Sequence, residues 1–65
     1  MQIVVNGATR STDARTLHDL CAVLGFAGAR VATAVNGEFV ALSARAEHRL
    51  RDDDAIEIVA PRQGG

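Results

Sequence analysis

TLHDLCAVLG, residues 16–25, is the stretch that decides the fold. Leu17, Leu20, Cys21 and Leu24 recur at i, i+3, i+4 and i+7, one face of a helix. Thr16 and Asp19 form a capping pair at its start, and Gly25 follows the last periodic residue, where a left-handed C-cap belongs. A helix of about two and a half turns is too short to be stable alone. Its leucine face must therefore dock on something.

The flanking sequence supplies a sheet. Upstream, Met1 to Asn6 reads as a strand, and Asn6-Gly7 is the strongest two-residue hairpin signal. A short polar strand is expected around Thr9 to Thr12, at an edge. Downstream, Val31 to Val35 reads as a strand with Val31, Thr33 and Val35 on one face and Ala32 and Ala34 on the other. Asn36-Gly37 turns it into Glu38-Phe39-Val40. Residues 43–50, SARAEHRL, have no strand pattern and are expected to form a helical turn capped by Ser43. Asp52, Asp53 and Asp54 read as a solvated turn, and Ala55 to Ala60 as the last strand, Ile56 and Ile58 on one face. The expected architecture is α+β: one helix on one face of a mixed sheet of four to five strands. Pro61 cannot donate to a sheet ladder and should end the last strand. The expected division is a domain over 1–60 and a flexible tail over 61–65, Pro-Arg-Gln-Gly-Gly, whose last four residues reach roughly 13 Å when extended.

Size and charge narrow the function. The chain has 65 residues, one domain. A domain of this size buries only about 60% of the surface its unfolded chain exposes, and its stability is on the order of 3–5 kcal/mol. An enclosed active site would consume core it cannot spare, which favours a carrier or binding role. The apolar fraction of 48% with a net charge of −1 reads as globular. That balance gives no basis for nucleic-acid binding. No apolar run is long enough to span a bilayer, and no signal peptide is visible, so the cytoplasm is the expected compartment. All seven basic residues are arginine.

The sequence resembles the β-grasp sulfur carriers, most closely the ThiS proteins of thiamine biosynthesis. The resemblance rests on MQIVVNG at the start, Thr16-Leu17-His18-Asp19-Leu20, Val35 to Val40, Ala55 to Val59, and the ending Gln63-Gly64-Gly65. One departure stands out: these proteins usually carry glycine in the acidic turn where this chain has Asp53. The resemblance implies a ubiquitin-like β-grasp fold. It implies that an E1-like, ThiF-like enzyme adenylates the Gly65 carboxylate. A sulfur donor such as a cysteine desulfurase then supplies the atom that makes it a thiocarboxylate. A ThiG-like thiazole synthase takes the sulfur. It implies no cofactor on the chain itself. Arg62, Gln63 and Gly64 are then the residues that thread a partner's active site. Alternatives are a carrier for molybdopterin or another sulfur metabolite, a ubiquitin-like modifier, and a non-covalent β-grasp module.

The residues support a working tail in their own right. A terminal carboxyl has a pKa of roughly 3.3–3.7 and is ionised at neutral pH, ready to attack phosphorus. Glycines lack Cβ and fit narrow channels at any φ. Against this, Cys21 lies on the apolar stripe and reads as core. His18 and His48 lack the company a metal site needs and read as surface histidines, with His18 a candidate contact residue. No nucleophile–base constellation can be assembled. If Ile3, Val5, Ile56 and Ile58 face the helix, then Val4, Ala32, Ala34 and Val59 face outward. With Phe39 they would form an apolar partner surface.

Overall fold

A computed structural model describes residues 1–60. The expectations for residues 61–65 lie outside the described residues.

Strands β1 (Gln2–Val5) and β2 (Ala8–Ser11) form the first hairpin, and helix α1 runs over Leu17–Val23. Strands β3 (Ala32–Val35) and β4 (Glu38–Val40) form the second hairpin, a 3-10 helix covers Leu42–Glu47, and β5 is Ala55–Val59. The five strands make one mixed sheet in the order β2-β1-β5-β3-β4. β5 runs parallel to β1 and antiparallel to β3, so the last strand fills the centre. The α+β architecture with one main helix is the one the sequence implies, with strand ends shifted by a residue.

Burial explains the arrangement. Ile3, Val5, Val35, Ile56 and Ile58 turn inward from the sheet and meet Leu17, Leu20 and Cys21 of α1. The helix starts as read: Thr16 Oγ1 accepts the Asp19 amide at 3.1 Å. It ends as read too. Gly25 sits at φ +88, and the Phe26 amide reaches back to the Cys21 carbonyl at 2.8 Å, the hydrogen bond that closes a left-handed helix stop. Phe26 is thereby folded against the core.

Both hairpin turns do more than turn. Asn6 and Asn36 hold φ of 49 and 51, as two-residue loops of this type demand. Asn6 also brackets β5: its Nδ2 donates to the Ile58 carbonyl at 3.1 Å and its Oδ1 accepts the Ile58 amide at 2.9 Å. Asn36 accepts the Ala55 amide at 2.9 Å and donates to Asp54 Oδ1 at 2.9 Å. Asn6→Gly should therefore destabilise the chain by about 2 kcal/mol, though glycine suits the turn, because two partly buried backbone groups lose their partner. Thermal unfolding checks this. A rise in midpoint would mean that relief of turn strain outweighs the clamp.

Two expectations need correction. The 3-10 helix begins at Leu42, flanked by Ala41 with no side-chain cap, so Ser43 does not cap it. The acidic turn is not simply solvated. Asp54 is buried, and its Oδ2 accepts the Arg51 amide at 2.8 Å. Asp52 Oδ1 accepts the Gln2 amide at 3.0 Å. These carboxylates close the turn onto β1 because backbone amides there need acceptors. Asp53 stands at φ 69, in the left-handed region, and its amide donates to the Gln2 carbonyl at 2.8 Å. Asp53→Gly keeps that amide and removes a conformational cost of up to about 1 kcal/mol, partly offset by a freer unfolded chain. The melting temperature should rise by about 3 °C. A fall would show that the aspartate side chain stabilises the turn.

Candidate functional site

The outward sheet face is the first candidate. β3 pairs Ala34 with both Phe39 and Glu57, and Ala32 with Val59. Val4 pairs with Ala55 on the parallel side. Alternation then puts Val4, Ala32, Ala34, Phe39 and Val59 on the face opposite α1. Phe39 is 72% exposed and Val59 61%, while Val4 and Ala34 are half-buried. Glu57, which the alternation of the last strand places on the same face as Val59, stands exposed among them and gives the apolar surface a charged centre.

The second candidate is a cleft of about 480 Å³ between α1, the loop after it and the 3-10 helix. Phe26, Val31 and Leu42 line it together with His18, Arg30 and Arg45. Arg45 is only 6% exposed. Its Nε donates to Thr33 Oγ1 at 2.9 Å and its Nη2 to the Val31 carbonyl at 2.6 Å, and the Thr33 hydroxyl in turn donates to the Val40 carbonyl at 2.7 Å. Sequence reasoning did not single Arg45 out.

Cys21 is buried in the core beside this cleft. Desolvation pushes its thiol pKa above the usual range, with the Arg45 charge pulling the other way. The thiol therefore stays protonated at neutral pH, the opposite of what a sulfur nucleophile needs. His18 is exposed and His48 half-buried. Among the described residues no group of three His, Cys, Asp or Glu side chains is placed to hold a metal ion. Among them, too, no helix is long and apolar enough to cross a membrane.

The tail candidates Arg62, Gln63, Gly64 and Gly65 lie outside the described residues. What fixes their origin is β5: its last paired residue, Val59, lies across from Ala32. A family model, that of the ThiS family, matches residues 3–65. The chain belongs to the ThiS family. The match runs through all five strands and takes in the Gly-Gly ending. Two solved structures agree with it. The crystal structure of a thiamine biosynthesis protein (ThiS) from Geobacter metallireducens superposes with a TM-score of 0.81 at 32% identity, covering 100% of both chains. A solution NMR structure of a thiamine biosynthesis protein from the same organism gives a TM-score of 0.80 at 28% identity, covering 100% of this chain and 88% of the other. No curated protein sequence matches. Within the ThiS family fold, then, the sheet face and the cleft both lie on the described body, and residues 61–65 follow the central strand in sequence.

Proposed function

We propose that this chain is a sulfur carrier of thiamine biosynthesis and that Gly65 is the residue that carries the sulfur. The observation behind this reading is the family match, which extends unbroken from β1 into the terminal glycines. The body adds support. Its one thiol is buried and held protonated, which leaves the tail as the chemically competent end.

The chemistry follows from an ionised carboxylate. Its oxygen attacks the α-phosphorus of ATP in an E1-like, ThiF-like enzyme, and pyrophosphate leaves. The acyl-adenylate is a good acyl donor where the carboxylate was a poor one. Hydrosulfide adds to the acyl carbon and expels AMP. Where the donor is instead the persulfide of a cysteine desulfurase, its outer sulfur expels AMP to give an acyl disulfide. A second thiol then cleaves the S–S bond, releasing the thiocarboxylate and ending in a disulfide with the desulfurase cysteine. The thiocarboxylate that remains is passed to a ThiG-like thiazole synthase. In this reading residues 1–60 are a handle and 61–65 an arm, with Arg62, Gln63 and Gly64 lying in the partner's channel. The outward face built on Val4, Ala32, Ala34, Phe39 and Val59 is where the partner enzymes grip, since exposed apolar area of this kind marks docking surfaces. The chain itself acts as a co-substrate and not as an enzyme.

Intact mass tests the reading. The chain is incubated with ATP, magnesium, a ThiF-like enzyme and sulfide. It should gain the mass of sulfur in place of one oxygen, only when ATP is present. Cys21→Ala should gain it equally. Loss of the gain in Cys21→Ala, or larger covalent adducts with other proteins, would replace the carrier reading by a thiol carrier or a protein modifier.

A further inference from the structure

The cleft beside α1 has an unusual charge pattern for a chain of net charge −1. Arg30, Arg45 and His18 line it, and among the described residues no aspartate or glutamate does. Arg45 is a buried cation whose two described hydrogen bonds both end on neutral oxygens. A guanidinium has five N–H donors. Nη1 donates to none of the described residues. Yet among the described residues no buried side-chain nitrogen or oxygen is left without a partner. Nη1 is therefore no buried orphan among the described residues, and Arg45 is part of the lining of the cleft. Phe26 and Val31 supply apolar walls, and Leu42 at the rim is 72% exposed.

We infer that this cleft docks a segment of a partner protein that presents an acidic side chain beside a bulky apolar one. The carboxylate meets the open edge of Arg45, where a planar fork suits a planar acid, and Arg30 reinforces it from the rim. The apolar neighbour covers Leu42 and Val31. A volume near 480 Å³ suits one or two side chains, being within the range of about 300–1,000 Å³ typical of binding pockets. A protein segment fits better than a free acid for two reasons. Leu42 offers apolar area outside the cleft, which a small molecule inside would leave wet. Ala32 lines the cleft and also pairs with Val59, so a protein that receives the tail from β5 lies over the same rim. That second reason rests on the carrier reading.

The test is a titration of the full chain, followed by its amide NMR signals, with the blocked peptide acetyl-Leu-Asp-Leu-amide. Shifts should gather in residues 21–32 and 42–45. The Asn analogue of the peptide should bind about tenfold more weakly, the loss of one charge-assisted hydrogen-bonded contact. Arg30→Glu and Leu42→Ser, both at exposed positions, should each weaken the Asp peptide while leaving the spectrum folded. Equal binding of the Asn peptide, or shifts gathered elsewhere, would overturn the inference. Isocaproate binding as tightly as the peptide would replace the protein segment by a small acid and overturn the assigned occupant. Sulfur loading needs no peptide, so this inference and the carrier reading fail separately.

Discussion

Gly64→Val is expected to stop sulfur loading while leaving the folded body unchanged. In the proposed carrier reaction the Gly65 carboxylate must come within bonding distance of a phosphorus atom buried in a partner enzyme. An oxygen displaced by about 1 Å from its in-line position loses roughly a hundredfold in rate. Valine adds a branched Cβ one residue from the reacting carbon. It restricts φ and ψ to the common regions and stiffens χ1, where glycine has neither limit. A channel narrow enough to exclude water from an acyl-adenylate has little room for two methyl groups. The rate of mass gain with ATP, ThiF-like enzyme and sulfide should therefore fall at least about a hundredfold. The residue follows β5 in sequence and belongs to the proposed arm, so the urea midpoint should not move. One extra residue appended after Gly65 should have the same effect by displacing the carboxylate. Loading of the valine variant within a few-fold of the parent rate would remove the tail from its role.

The parts of this fold that were legible in the sequence are those decided within a few residues. Asn-Gly at 6–7 and 36–37 specifies two hairpins because only a left-handed pair of residues closes such a loop. Thr16, the leucine stripe and Gly25 specify a helix with both ends, because each cap is made within five residues of its partner. Asp53, standing where the family resemblance puts glycine, pointed to a left-handed residue, and its φ of 69 is one.

What the sequence concealed was side chains acting at long range. Nothing near Asn6 shows that its amide will bracket Ile58, fifty-two positions away. Its effect is to continue the short β1–β5 pairing, which has only two registered pairs, beyond the end of β1. Arg45 was hidden for a related reason. SARAEHRL has no apolar period, so every polar residue in it reads as solvent-facing. Its burial is set by Thr33 of β3 and by Val31 just before that strand, on the other side of a hairpin. The candidate site divides in the same way. The outward sheet face followed from alternation, whereas the cleft needed two separated segments, 18–32 and 42–45, brought together.

Arg45→Ala should cost about 3 kcal/mol, a large share of the stability a chain of this size can have. The 3-10 helix at Leu42–Glu47 has one buried residue, and it is Arg45. Leu42, its only large apolar side chain, points into solvent. The guanidinium is therefore the anchor that fixes this helix to β3, and through Thr33 to the Val40 carbonyl of β4. Truncation removes two hydrogen bonds from a charged donor, each worth about 1.5–3 kcal/mol, and the packing of the stem. Opposing this is the desolvation of a buried cation, which the native chain bears and the variant does not. The opposition is incomplete here because Arg45 lines the open cleft and keeps 6% of its surface exposed, so the ion is not fully stripped. The hydrogen bonds should win. The urea midpoint should drop by more than half with the slope unchanged. Arg45→Lys, which keeps the charge and stem but has no fork to serve Thr33 and Val31 together, should fall between. A loss under about 1 kcal/mol in Arg45→Ala would mean that desolvation cancels the hydrogen bonds. The helix would then be held by its neighbours, chiefly the bridge that ties Arg15 and Leu17 to the 48–50 segment.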